Sequence, residues 1–411
     1  VKGEYTKVNI VIIGAGVAGV TAARGIRSKA PDAEVSMYTD EGYPYYLRPQ
    51  LPAFLAGDVS QDELFFRRQD WYGENDLSLN LSSKVMSVNP ESRELRLADQ
   101  SRISYDRLLL ATGSRPFMPP IEGTDKRGVF VLRTLDDAIA IRSYAQNSKR
   151  ALVVGAGLLG LEAGIAVAKL GLEVTVLERS HHILRKQLDE QEAEVLEKLL
   201  GDKGLRIAKN AVCKRVLGED AVSGVVLESG GQLEGDLILV SAGVRPNIHL
   251  AEEARLEVNR GIIVDDTLQT SHEDIFALGD AAEFEGMVWG IIPAAVNQAR
   301  VAAATVLGDT AARYPGTIPS TTLKIAGIEL TSVGAVHAQG EDEEIRKVDA
   351  ARGVCKKLVL RDGRIVGASF LGGRKGITQI TQLIEKGTDI SDHKEELLDE
   401  DCDWKQILPS S

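Results

Sequence analysis

The chain has little of what a thiol or metal centre requires. Its 411 residues include three cysteines, Cys213, Cys355 and Cys402. They lie far apart and form no C-x-x-C pair, so neither a zinc site nor a dithiol redox pair is indicated. Such usage suits a reducing compartment. Cations are also in the minority. Lys and Arg number 48 against 60 Asp and Glu, a net charge of −12. That balance argues against nucleic acid and anionic membrane as main partners. Long apolar runs are missing as well. Stretches such as Ala151–Val154 and Ile291–Val296 fall far short of a membrane span. No basic-then-apolar segment opens the sequence, and the expected location is the cytoplasm.

What remains is an ordinary globular composition, 44% hydrophobic and 26% charged. The length allows two or three domains. One pattern occurs twice. The apolar run Val8–Ile13 leads into Gly14, Gly16 and Gly19, with Val17 and Ala18 between the last two glycines. Arg150–Val154 leads into Gly155, Gly157 and Gly160, with Leu158 and Leu159 in the matching places. Each is a strand, a G-x-G-x-x-G turn and an apolar helix, the context in which the pattern means a dinucleotide site. The first glycine permits the turn, the second lets backbone approach a pyrophosphate, and the third lets helix pack on strand. The helix start then offers unpaired N–H groups to the anion. Two such sites side by side suggest electron transfer between two nucleotides.

Each fingerprint is followed by an acid beyond the next strand. After the first come a helix over Val17–Lys29, a strand over Glu34–Tyr38, and then Asp40 and Glu41. Either carboxylate can bond a ribose hydroxyl, and the spacing does not choose between them. A solvated loop acid is the alternative. After the second fingerprint come a strand over Glu173–Leu177 and Glu178. A carboxylate there favours NADH over NADPH. Arg179, His181 and His182 follow, and together they could bind a phosphate instead. Two further segments point to FAD at the first site. Tyr105–Gly113 is an apolar strand ending in the small turn Ala111-Thr112-Gly113, with Arg115 just beyond. Ile275–Asp280 is a strand ending in Gly279-Asp280. Gly279 would admit backbone, and Asp280 would accept a bond from a ribityl hydroxyl. They flank the second fingerprint, so an FAD domain is split by an inserted NAD domain.

The motifs GAGVAG, LLLATGSRP, GAGLLG, SAGVRPN and IFALGDAAE together resemble the FAD-dependent pyridine-nucleotide oxidoreductase superfamily. The resemblance covers residues 8–380. It implies an α/β fold with two Rossmann-like domains and a small C-terminal α+β domain. The expected division is 1–116 with 240–310 for FAD, 117–239 for NAD and 311–411 for the third domain. Tyr46-Leu-Arg-Pro49 is similar to the Y-x-R-P segment of the branch that reduces rubredoxins, ferredoxins and nitrite-reductase centres. The resemblance therefore implies that Arg48, with Pro49, reaches the flavin nucleotide. It also implies that a helix over Pro293–Leu307, beginning at Pro293 and Ala294, aims its positive end at the flavin. Trp289 precedes it, either as a flavin neighbour or as core. Glu162 is implied to position the nicotinamide; otherwise it is an acid near a positive helix end. Ala242 and Gly243 mark the return from the NAD domain, and Arg245 is either a hinge residue or structural punctuation.

Relatives that reduce disulfides or peroxide keep a thiol beside the flavin, and residues 46–54 have none. The resemblance then implies that electrons leave the flavin directly. Nicotinamide C4 would need to approach flavin N5 to about 3–3.5 Å. Leu51-Pro52-Ala53 replaces the Leu-Ser-Lys of many oxygenase-system reductases, so no lysine role carries over. Residues 311–411 should hold strands at Thr321–Ile325, Leu330–Val336, Cys355–Leu360 and Ile365–Phe370, a hairpin at Asp362-Gly363 and a helix over Gly376–Lys386. Lys356, Lys357, Arg361, Arg364, Arg374 and Lys375 form either a docking patch for an acidic carrier or a solvated hairpin. The acidic tail, Glu395 to Trp404 with Ile407 and Leu408 beyond, carries apolar residues that should pack on something, such as a partner subunit. Cys402 has no assigned role.

The leading expectation is an NADH-oxidising FAD enzyme that reduces a protein acceptor such as rubredoxin or a ferredoxin. The alternative is the flavin subunit of a larger iron–sulfur or metal-cofactor complex. Residues 311–411 would then serve a homodimer or a hetero-complex. A flavin-bound sensor resembling apoptosis-inducing factor is a third reading. No metal site is expected.

Overall fold

The computed structural model describes residues 7–394, 396–399, 402 and 404–407. The chain divides into two compact units. One takes the residues up to Arg48, then Ser60–Arg115 and Val244–Thr317. The other takes Pro49–Val59, Pro116–Gly243 and the chain from Ile318 onward. Two features of this division differ from the domain limits expected from sequence. The short segment Pro49–Val59 joins the second unit, and the C-terminal region joins it too.

The first unit is built on a five-stranded parallel sheet. Its order is Ile275–Ala277, Arg107–Leu110, Asn9–Ile13, Glu34–Tyr38 and Leu77–Asn80. Ile10, Val11 and Ile12 are wholly buried, as are Leu108, Leu109 and Leu110. Continuous apolar runs are what a parallel sheet covered on both faces requires. The helices Val17–Lys29 and Ile292–Thr305 pack together along small residues, among them Ala22, Ala299 and Ala302. Gly25 lies where they meet: an added Cβ would lie 2.8 Å from Cβ of Ala303.

The second unit repeats the plan. Its parallel sheet runs Leu205–Ala208, Glu173–Leu177, Arg150–Val154, Leu237–Val240 and Val129–Phe130. In both sheets the fingerprint strand is central and the acid-bearing strand is beside it. Both also insert a three-stranded antiparallel meander at the same point. One is Val85–Asn89, Glu94–Leu97 and Arg102–Ser104; the other is Cys213–Leu217, Gly224–Leu227 and Gln232–Glu234. The helix Leu51–Ala56 packs on the helices Leu135–Ala145 and Leu158–Lys169 of this unit.

The C-terminal sheet is antiparallel, in the order Ser320–Ile325, Ile328–Gly334, Arg364–Leu371, Val354–Arg361 and Glu343–Asp349. Four strands lie within two residues of their expected limits. The fifth, Glu343–Asp349, is a charged and largely exposed edge, so it carries no apolar signature. Asp362 and Gly363 make the hairpin with φ of 48° and 71°. Positive φ at both central residues is the type I′ requirement. The helix Ile377–Lys386 covers one face of the sheet. The tail joins it there: Leu397, Leu398 and Ile407 are buried in the same core as Leu358, Phe370 and Ile380. These apolar residues therefore pack on their own domain, rather than being left for a partner. Glu395 and Leu408 lie outside the described residues.

The six basic residues read as a docking patch or a solvated hairpin divide, two buried and four exposed. Lys357 is wholly buried, with Nζ 2.8 Å from both Asp189 and Glu192. Lys356 is also buried, over the ring of Phe370 at 5.3 Å. Arg361 is clamped on Asp342 at 2.8 and 2.9 Å. Only Arg364, Arg374 and Lys375 of the set are exposed without such an ion pair. The strand Val354–Arg361 is covered on both faces, which alternation in sequence does not reveal. Among the described residues no helix is long and apolar enough to cross a membrane.

The close helix contact makes a test. Gly25→Leu overpacks the junction with Ala303 and should cost about 1–3 kcal/mol, read as a lower Tm. A Tm equal to the parent's would show that the two helices do not meet there.

Two candidate nucleotide sites

The glycines of the first fingerprint are required for different reasons. Gly14 has φ 109°, and a Cβ there would lie 2.1 Å from the Ala111 carbonyl oxygen. A Cβ on Gly19 would lie 2.0 Å from the Gly14 carbonyl oxygen. Both are demanded by the protein's own backbone. Gly16 is different. Its φ is −79°, and a Cβ there would meet nothing within 4 Å. Gly16 is the N-cap of the helix Val17–Lys29, a place that suits glycine, and the open space before it would also admit a nucleotide phosphate against the backbone.

The second fingerprint behaves identically. Gly155 has φ 111° and would clash with the Ser241 carbonyl oxygen at 2.3 Å; Gly160 would clash with the Gly155 carbonyl oxygen at 2.1 Å. Gly157 has φ −78° and again faces open space. The helices that follow these loops have no side-chain cap, and neither has Ile292–Thr305. Ser60, Thr134 and Asp189 close their helices with capping boxes, while the helices beginning at Leu51, Gln69, His249 and Ile377 also lack a side-chain cap. Uncapped starts leave N–H groups for a ligand. Both cradles fit a dinucleotide.

Around the first cradle, one pocket is lined by Ala15, Gly16, Thr39, Glu41, Tyr43, Tyr46 and Arg48. Of the two candidate acids, Glu41 is therefore placed beside the fingerprint, and Asp40 is exposed outside this lining. The Tyr46 hydroxyl donates to Glu41 at 2.5 Å, and Arg48 is ion-paired with Glu41. The Arg48 guanidinium also lies over the Tyr46 ring at 5.3 Å. Pro49 belongs to the short turn Arg48–Gln50. Gly279, at φ 74°, packs so that its Cβ position lies 3.0 Å from Cβ of Ala18; its neighbour Asp280 accepts from the Ser114 hydroxyl at 2.7 Å. The Gly279 N–H donates to the wholly buried Gln298 at 2.8 Å. Val17 starts the helix, and Ala111 is the residue whose backbone excludes a side chain at position 14.

Other expected residues serve the chain itself. Thr112 and Asn247 exchange two bonds of 2.8 Å, and the Asn247 N–H donates to Gly113 at 2.9 Å. Arg115 donates to the Pro246 carbonyl at 3.2 Å. Asn247 thus ties together the turn that carries Thr112 and Gly113, a role its place in the sequence did not disclose. Pro293 is the second residue of the helix Ile292–Thr305 and is exposed, while Ala294 is buried. Trp289 packs against the core of its unit.

At the second cradle Glu178 is nearly buried. It accepts N–H bonds from Ala156 at 3.0 Å and Ser180 at 2.8 Å. The carboxylate is thereby fixed at the fingerprint. Leu158 and Leu159 open the helix and are half-buried. Gly243 has φ 98° and open space at its Cβ position, next to Ala242. Arg179 and His181 are exposed. His182 is not free to bind phosphate. It is buried, with Nδ1 2.9 Å from the Ile183 carbonyl. Arg245 is exposed and donates to its neighbour's carbonyl.

Glu162 has no ion pair or hydrogen bond to its side chain among the described residues. Burial pushes its carboxyl up to about 7. The helix Leu51–Ala56, packed on the helix that carries Glu162, is apolar throughout and brings no compensating cation. A half-buried acid poised near neutrality is a functional-site signal. Among the described residues no group of three or more His, Cys, Asp or Glu could hold a metal ion.

The glycine geometry separates fold from ligand. Gly16→Ala loses only an N-cap preference, on the order of 1 kcal/mol or less, so its apoprotein Tm should fall less than that of Gly14→Ala while FAD binding weakens markedly. Gly14→Ala should lower apoprotein Tm, as strained backbone costs about 1–3 kcal/mol. Equal Tm losses in both variants would contradict this division.

Comparison with known proteins agrees with the geometry. Residues 8–303 match the family described as pyridine nucleotide-disulphide oxidoreductase, and residues 319–388 match the rubredoxin NAD+ reductase C-terminal domain. The chain is 34% identical to an assimilatory nitrate reductase electron transfer subunit of Bacillus subtilis, over 98% of this chain and 53% of that protein. It is 31% identical to the epsilon subunit of an NADH-dependent phenylglyoxylate dehydrogenase of Aromatoleum evansii, over 94% and 93%. Among solved structures it is similar to putidaredoxin reductase in covalent complex with putidaredoxin. The TM-score is 0.88 at 28% identity, covering 97% and 98% of the two chains. The chain spans about half the length of several curated relatives it matches. The chain belongs to the pyridine nucleotide-disulphide oxidoreductase family.

Proposed function

We propose that this chain takes a hydride from NADH at the second cradle, with FAD in the first, and delivers electrons to an iron-containing protein. The observation that carries the reading is the matched pair of cradles, each with a second glycine that faces open space at an uncapped helix start. FAD, held there, would supply hydride acceptance and single-electron release. The chain's own residues do the rest. Glu178, fixed by two backbone N–H groups, binds the ribose and disfavours a 2′-phosphate. Glu41 and Arg48 hold the flavin nucleotide's adenosine side, and Asp280 orients its ribityl chain. Glu162 sets the charge beside the nicotinamide.

No thiol relay is part of this reading. Burial pushes the Cys213 thiol up to about 11 and, with the charge of Glu192, the Cys355 thiol up to about 12. Such thiols are poor nucleophiles at neutral pH. Cys402 is half-buried against the core of the C-terminal domain. The electron acceptor is the finer part of the proposal. The C-terminal match supports rubredoxin. A second reading, a subunit of a larger oxidoreductase, is favoured by near full-length similarity to a dehydrogenase epsilon subunit.

Anaerobic stopped-flow mixing with NADH, followed by rubredoxin, tests the proposal. Fast flavin bleaching and fast rubredoxin reduction are expected. Fast bleaching without onward transfer would favour the subunit reading, and no bleaching would contradict both.

Glu162 makes a pH test. NAD+ carries a positive nicotinamide, which the carboxylate form favours. Affinity for NAD+ should therefore rise with pH through about 7 and be nearly flat in Glu162→Gln. An unchanged pH profile in the variant would place Glu162 away from the ring.

A further inference from the structure

The loop between Glu178 and the helix Glu190–Gly201 has two anchorages, both within the second unit. One is the nucleotide cradle. The Ser180 N–H donates to Glu178, and the Leu184 N–H donates to the carbonyl of Ala156, inside the fingerprint, at 3.3 Å. Leu184 is buried and holds φ 48°, a left-handed conformation that a leucine does not adopt without constraint. The loop is thus bent back over the cradle in a shape its own residues do not favour.

The other anchorage is the C-terminal sheet. His337 Nε2 lies 2.8 Å from the Arg185 carbonyl oxygen. Arg346 straddles both carboxylate oxygens of Asp189 at 2.6 and 3.2 Å. Lys357 bridges Asp189 and Glu192, and the Ser369 hydroxyl also donates to Glu192. Lys357 and Glu192 are wholly buried. Asp189 is held well below the usual carboxylate range, against its burial, by bonds from Arg346, Lys357 and the Glu192 amide. Lys357 and Glu192 are out of reach of water, so removing a partner from the cluster leaves buried charge less well compensated.

We propose that Asp189, Arg346 and Lys357 are positioning residues for the second nucleotide site. Through them the C-terminal sheet sets the loop that closes over the NAD cradle, and NAD affinity depends on that sheet. This rests on the reading that the second cradle holds NAD(H). It gives the C-terminal domain a task on its own chain, whatever acceptor it meets.

The test uses the full-length, FAD-loaded, oxidised protein. Asp189→Asn keeps the helix cap, since Asn caps as well as Asp, and removes the charge between Arg346 and Lys357. Arg346→Gln is the second variant, on the half-buried side of the cluster. Calorimetry with NAD+ and with ADP-ribose, and amide exchange over residues 180–188, are the readouts. Both ligands should weaken by the same factor, about five- to tenfold, as for a typical coupling between sites. Exchange should quicken in the loop, while the flavin spectrum and content stay unchanged. NAD+ affinity within twofold of wild type in both variants would overturn the proposal, as would parallel loss of FAD. Wild-type protein that binds no NAD+ would sink the underlying reading, and the proposal with it. Wild-type binding with undiminished variants would sink the proposal alone.

Discussion

Two collisions between backbone and a missing side chain organise this molecule. At Gly14 and again at Gly155 the chain turns so tightly from strand to helix that a methyl group would overlap the neighbouring strand's carbonyl. That turn directs the start of each fingerprint helix at a space the protein leaves open, in front of Gly16 and Gly157. The groups proposed to bind the nucleotides are arranged about those two spaces. The acid-bearing strand lies beside the fingerprint strand and brings Glu41 or Glu178 to the rim. In the first unit the later strand Ile275–Ala277 brings Asp280 from the other side of the sheet. Parallel β–α units deliver all these groups to the same ends of the strands, which is where such sheets bind ligands.

Within the second unit, charge is used in two contrasting ways. The carboxylate of Glu178 is oriented by backbone N–H groups and kept available to a ligand. Asp189 and Glu192 are consumed by Lys357 and Arg346 and hold one domain to another. Burial favours the neutral form of an acid unless charges or donors oppose it. Asp189 has those opponents and stays ionised; Glu162 has none and titrates near neutrality. The same rule therefore separates an ion-paired carboxylate from one without an ion pair among the described residues of the same unit.

Much of the architecture was legible in the residues because its causes are local. Fingerprint loops, the helix Val17–Lys29, the strands Glu34–Tyr38 and Glu173–Leu177, and the Asp362-Gly363 hairpin each follow from a short pattern. What was not legible depends on contacts remote in sequence. Asp40 and Glu41 are adjacent and chemically alike, and only the loop's course puts Glu41 beside Gly16. The meander strands are short and half-exposed, so they lack a core signature. Lys356 and Lys357 read as surface because lysines usually are; Lys357 is instead buried against Asp189 and Glu192, far away in the chain, and Lys356 over the ring of Phe370. The tail's apolar residues signalled packing correctly, but their address is a sheet on their own domain.

The central claim is that the chain holds two different dinucleotides in two independent cradles. Its most direct test is the binding stoichiometry of the oxidised protein. Released flavin would be quantified by absorbance, and NAD+ would be titrated calorimetrically into FAD-loaded protein. The account requires one FAD and one NAD+ per chain, with neither displacing the other. A single shared site, seen as FAD release on NAD+ addition or as no NAD+ binding while FAD is bound, would contradict it.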